Sequence, residues 1–173
     1  AALQTLLVDT PGGVHAIFAT ENTPFSDDSG RAIDPAAVMT IGNRSFAVKE
    51  IRFLEGDEDI AAVRVPQSIA NESELRVFPL SRDPFRFSNA VLVSDDEEVY
   101  GEIPVRVPPG ESGSLEVESK LFNRLFGEFS PGPGDYVFAL TGELIGIMVR
   151  GNRARMLQEP EFGNPIELQS PSN

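Results

Sequence analysis

Few side chains in this sequence can move a proton or attack an electrophile near neutrality, and they are scattered along the chain. His15 is the only histidine and cysteine is absent, so any imidazole-dependent reaction must use His15, and thiolate nucleophiles, disulfides and thiolate metal sites are excluded. His15 follows the turn Asp9-Thr10-Pro11-Gly12-Gly13 and precedes an apolar run, a context that reads as a surface or strand-end histidine. Gly110-Glu111-Ser112-Gly113-Ser114 sets a serine between small residues and reads first as a polar surface turn. A serine hydrolase assembled from this sequence would need Ser112 or Ser130 to meet His15. The acidic runs Asp57-Glu58-Asp59 and Asp95-Asp96-Glu97-Glu98 supply oxygen ligands, but neither has the alternating spacing and central glycine of a calcium loop. The second reads as a solvated hairpin tip. Pro131-Gly132-Pro133-Gly134 lacks the lysine and following helix of a phosphate cradle. No metal and no cofactor is expected.

The composition narrows the partners. With 27 acidic against 14 basic residues the net charge is −13, and Arg150, Arg153 and Arg155 form the densest basic group. Nothing resembles the basic stripe that displaces counterions from phosphates, so nucleic acid is not expected as a partner. The acidity reads as solubility and self-repulsion, or as selection of basic partners. The 173 residues suffice for one well-buried domain or two small barrels sharing an interface. The apolar runs are only a few residues long, so a soluble domain without membrane insertion is expected. Ala1-Ala2-Leu3 reads as the start of a mature or excised segment.

The elements that must position these residues are strands. Apolar runs at 3–8 and 14–20 flank the first turn, and 39–42 and 45–48 flank Gly42-Asn43-Arg44. Residues 49–54 alternate in part, 66–74 form a polar link, and strands are expected at 99–107 and 115–117. Pro104 suggests an edge or a bulge. Leu121, Phe122, Leu125, Phe126 and Phe129 recur at helical spacing. Residues 136–140 and 144–149 form a hairpin around Thr141-Gly142, and 153–157 make a closing strand. From Gln158 the chain turns polar, and 158–173 read as a tail or linker. Short strands separated by turns, with 15 glycines and 14 prolines, argue an all-β fold.

Three segments resemble trypsin-like serine proteases of the bacterial Deg type. Gly142-Glu143-Leu144-Ile145-Gly146-Ile147 follows the end of the family's nucleophile hairpin, Asp59-Ile60-Ala61 its aspartate segment, and residues 75–80 the segment that opens its second half. The resemblance implies two six-stranded antiparallel Greek-key β-barrels of the chymotrypsin type over residues 1–157, barrel one about 1–66 and barrel two about 75–157.

It also implies which residues stand at the family's triad. Thr23 falls on the histidine, Asp59 on the aspartate and Pro133 on the serine. Thr23 cannot accept a proton near neutrality, and Pro133 has neither hydroxyl nor backbone N–H, so nucleophile and oxyanion donor are lost together. Asp135 would add a carboxylate where the oxyanion forms, and Asp59 is expected to persist as an acceptor for buried N–H groups. The resulting expectation is a catalytically inactive member, a binding or scaffold module within a larger protein, taking a protein or peptide. Pro131, Gly132, Gly134, Asp135, Tyr136 and Phe138 are its expected contact residues. The alternatives are a hydrolase using Ser112 or Ser130 with His15, and a structural β-domain serving oligomerisation.

Overall fold

A computed structural model of the chain describes residues 4–21, 23, 37–72, 74, 76–94, 100–118 and 132–168. It is mostly β, and it divides into two units, Ala1–Val77 with Glu159–Asn173, and Phe78–Gln158. The helical spacing at 121–129, the acidic run at 95–98, Ser130 and Pro131 lie outside the described residues.

In the first unit, β1 (Leu6–Thr10) and β2 (Gly13–Ala19) form a hairpin in which Thr10 opposes Gly13 and Leu6 opposes Ile17. Pro11 and Gly12 make the two-residue connection, and Gly13 has φ 120, which glycine adopts without steric cost. A second hairpin joins β3 (Ala37–Ile41) to β4 (Arg44–Val48) through Gly42 and Asn43. After Lys49 the chain continues as β5 (Glu50–Leu54), turns at Glu55-Gly56, and returns as β6 (Asp57–Arg64). The expected polar link at 66–74 contains a six-residue helix, α1 (Gln67–Glu72), which periodicity could not reveal in so short a run. Ile69 and Ala70 both donate to Pro66 O and pack beside Ala16 and Val65. A short β7 (Val77–Pro79) follows.

β2 is buried along almost its whole length, because its two faces serve different layers. Val14, Ala16 and Phe18 face clusters that include Leu7, Ile41, Val63 and Val65, with Met39 and Phe46 of the β3–β4 ribbon folded against them. Ile17, on the opposite face, is completely buried as well. Burial on both faces explains why the strand reads as a continuous apolar run rather than an alternating one.

The second unit is a closed antiparallel barrel. Its strands are β8 (Asn89–Val93), β9 (Tyr100–Arg106), β10 (Ser114–Val117), β11 (Tyr136–Phe138), β12 (Leu144–Arg150) and β13 (Arg153–Met156). They close in the order β10-β13-β12-β11-β8-β9. The run β11-β8-β9-β10 is a Greek key: three consecutive strands, then a fourth that returns beside the first. Ala90, Leu92, Ile103, Leu115, Val117, Val137, Met148 and Ala154 fill the interior. Pro104 lies inside this wall rather than at an edge. It sits where pairing of β9 passes from β8, at Asn89, to β10, at Val105, and its carbonyl accepts from Glu118 N–H.

Past Gln158 the chain rejoins the first unit. Residues 158–173, read from the sequence as a tail or linker, supply β14 (Ile166–Glu167), which pairs with β5, and a bridge from Phe162 to Leu54. The first unit's main sheet runs β14-β5-β6-β2-β1, with the β3–β4 ribbon as a separate two-stranded sheet. The polarity that suggested a tail belongs to an edge segment that gains its bonds from backbone pairing rather than from buried side chains.

Candidate functional site

The turn at residues 132–135 precedes β11 and uses up its own polar groups. Gly132 N–H donates to Asp135 Oδ2 at 2.7 Å, and Asp135 N–H donates back to Gly132 O at 3.1 Å. Gly134, at φ 93, donates to Met148 O at 2.8 Å, and Met148 N–H donates to Asp135 O at 2.8 Å. Pro133 is exposed at the apex and has no N–H to offer. Each amide that this turn possesses is therefore directed into the turn or onto β12. Asp135 is only 6% exposed, and its carboxylate occupies the amide of Gly132.

Tyr136 and Phe138, expected as contact residues, are 1% and 7% exposed. Val137 between them points into the barrel core, so strand alternation turns both rings to the outer face of the wall. There Phe138 packs on Phe78, with ring centroids 5.0 Å apart, and Tyr136 lies 6.5 Å from Phe138. Their aromatic surface is spent on packing. Of the expected contact residues within the described chain, Gly132 and Gly134 remain half-buried, while Asp135, Tyr136 and Phe138 are corrected to buried structural positions.

Thr23 and Asp59 come to the same end of the β2–β6 pair. Thr20 N–H donates to Asp59 O at 2.8 Å and Thr20 Oγ1 to Glu58 O at 3.0 Å, while Thr23 Oγ1 donates to Thr20 O at 2.6 Å. Thr20 is the residue that ties this corner, and its hydroxyl was not singled out from the sequence. Asp59 is exposed, contrary to the expected role as acceptor for buried amides. Asp57 Oδ1 accepts from Asp59 N–H at 3.0 Å. The reason is position: residues 57–59 open β6 beside its turn, ahead of the buried stretch of that strand.

His15 is 6% exposed, so the surface reading is corrected. Its Nδ1 lies 3.0 Å from Gly13 O and 3.0 Å from Thr10 Oγ1. A carbonyl only accepts, so Nδ1 carries the proton and Nε2 the lone pair. Thr10 Oγ1 donates its own proton to Gly13 O at 2.9 Å and receives Gly12 N–H, which closes the β1–β2 turn. Burial holds the imidazole below its ordinary 6.5, and the nearby Arg64 and Arg52 guanidinium groups push the same way, against the hydrogen bond with Gly13. Phe162 stacks on the ring at 5.5 Å with 25° between planes. Ser112 is exposed in the turns between Pro108 and Ser114.

Two carboxylates of the barrel unit, Glu116 and Glu143, are held below their ordinary range. Glu116 is held below the usual carboxyl range, first by its hydrogen bond from Arg106, at 3.0 Å, with Arg153 and Asn152 adding to it. Glu143 is held low chiefly by the Thr141 hydroxyl, with Arg86 contributing from the turn at 83–87. Among the described residues no three of His, Asp or Glu converge as a metal site, and no helix is long and apolar enough to cross a membrane. Scanned against models of known protein families and against curated protein sequences, the chain matches none. The likeness to trypsin-like proteases rests on the short motifs quoted above.

Proposed function

We propose that this chain is a non-catalytic binding domain built on a trypsin-like double barrel. The observation that carries this reading is the turn at 132–135. At the position where that family presents a nucleophile and backbone donors, Pro133 has no hydroxyl or N–H, and the amides of Gly132, Gly134 and Asp135 are taken by Asp135, Met148 and Gly132. The state of His15 adds support, since the one imidazole available as a general base has Nδ1 held within its own hairpin and its ring covered by Phe162.

The double-barrel part of the reading draws on strand order. The Greek key of the second unit suits it, and so does the order β1-β2-β6-β5 in the first, where β4 runs into β5 across Lys49 and carries the β3–β4 ribbon over the same core. The burial of Tyr136 and Phe138 moves the contact surface from those rings to exposed apolar side chains of the neighbouring turns. Phe85 is 52% exposed and Leu140 is 42% exposed. The two turns are drawn together by the Leu80–Leu144 bridge and by Ser81 N–H donating to Leu144 O at 2.8 Å. A protein or peptide partner would meet them there.

Labelling with a fluorophosphonate probe and incubation with a broad peptide library test the non-catalytic reading. Neither labelling nor turnover is expected. Turnover that disappears in Ser112→Ala would overturn the reading in favour of a hydrolase with a non-standard site.

A further inference from the structure

The chain's only histidine is covered by an aromatic ring from the far end of the sequence. His15 lies on β2, and Phe162 reaches it from the returning segment, which runs along β5. Backbone bonds hold the described part of that segment to β5 and its neighbouring turn. Glu55 N–H donates to Glu161 O at 2.8 Å, Gly163 N–H to Phe53 O at 2.8 Å, and Leu168 N–H to Lys49 O at 2.8 Å. Arg52 Nη1 reaches Gly163 O at 3.4 Å, and the regular ladder is two residues long. Ile166 leaves 39% of its surface in water. Phe162, stacked on His15, and Leu168, packed against the cluster of Phe18, Val48 and Ile51, are the side-chain anchors of a short edge strand, and short edge strands open locally at much less than the cost of global unfolding.

We propose that His15 and Phe162 form a proton-operated latch that holds residues 161–168 on β5 and releases them when the imidazole takes up a second proton. In the neutral ring Nδ1–H is already committed to Gly13 O and Thr10 Oγ1. The second proton must go to Nε2, on a ring that is buried and covered. Among the described residues, the charged side chains that act on it are cations. β6 contributes Arg64, β5 contributes Arg52, β1 contributes the uncharged Thr10, and the returning segment contributes an apolar ring. A cation placed there is repelled by two others and cut off from water, and displacement of Phe162 restores its hydration. Stacking of an imidazolium on Phe162 works in the opposite direction. Burial and the two guanidinium groups both lower the proton affinity of His15. Release uncovers the outer edge of β5, whose unpaired N–H and C=O groups can then accept another extended strand.

Hydrogen exchange of the full chain, read by mass spectrometry at pH 8 and pH 5.5 and corrected for intrinsic exchange rates, tests the latch. Protection of residues 161–168 should fall several-fold on acidification, up to the roughly tenfold that one proton taken up near 6.5 allows at pH 5.5, relative to the barrel strands of 78–158. In His15→Gln, which can donate to Gly13 O but does not titrate, the fall should vanish, and in Phe162→Leu protection should be low at both pH values. Equal protection of the segment at both pH values, or an acid-induced loss that persists in His15→Gln, would overturn the proposal. Should His15→Gln not fold, the imidazole NMR signal of the parent chain decides, since there is one histidine to observe. Its titration midpoint must coincide with the midpoint of segment release, and a midpoint at or above 6.5, or one unrelated to release, defeats the latch.

Discussion

Gly132 N–H and Asp135 Oδ2 meet at 2.7 Å across a turn whose apex is Pro133. The contact joins a backbone donor to a carboxylate that is almost fully buried, and it sets the shape of the chain as it enters β11. Removing the acceptor leaves the amide without its charge-assisted bond in a confined turn, which typically costs about 1–3 kcal/mol. Asp135→Ala should therefore lower stability by that order in urea denaturation. Asp135→Asn, which keeps an acceptor oxygen without the charge, should fall between the two. Equal stability of all three proteins would show that the turn does not depend on this bond.

Gly146 sits where β12 approaches β13 most closely. A Cβ built there would collide with Arg155 O, and it would lie 3.0 Å from Arg155 C and 3.2 Å from Met156 Cα. These are backbone atoms of the paired strand, so no side-chain rotation can relieve the clash. Gly146→Ala should cost roughly 3 kcal/mol or more, or leave the barrel unfolded. Gly151, which has nothing within 4 Å of its Cβ position but φ 51, should tolerate Asn with a much smaller loss. Circular dichroism melts of the two variants compare them directly.

His15 gives the whole fold a pH dependence whose sign follows from its surroundings. Its folded-state affinity for protons is lowered from 6.5, so between the two values the unfolded chain binds the proton and the folded chain does not. Stability contributed by this residue is fully present above 6.5 and is lost as pH falls toward and through the folded value. Urea midpoints of the parent should decline below pH 6.5 more steeply than those of His15→Gln. Parallel curves would mean that the imidazole titrates alike in both states.

Glu159 has φ 48, the one non-glycine residue with positive φ among the described residues, and it begins the return from the barrel to the first unit. The left-handed region costs an L-residue roughly 1–2 kcal/mol, and a β-branched side chain suffers most. Glu159→Gly should be at least as stable as the parent, and Glu159→Val lower by roughly 1 kcal/mol or more. The reverse order in thermal melts would contradict a left-handed backbone at this residue.

Much of the fold was legible because strands and tight turns have local signatures. Pro11-Gly12, Gly42-Asn43 and Gly151-Asn152 each close a hairpin between strand-forming runs. The helix at Gln67–Glu72 was not legible, since six residues give no periodic face. The aromatic residues of β11 illustrate a different limit. Tyr-Val-Phe marks a strand, but whether the outward rings meet solvent or protein depends on neighbours that no local pattern names.

By itself the sequence determined the all-β character, most hairpin positions, and the lack of a hydroxyl or N–H at Pro133, because these depend on backbone preferences and functional groups that each residue carries anywhere. Tertiary structure alone decided that Asp135 turns its carboxylate onto Gly132, that Asp59 faces water, and that Phe162 covers His15 across 147 positions of chain. Those relationships arise when strands distant in sequence pair and exclude water, and only then does a residue acquire the neighbours that set its burial, its charge and its role.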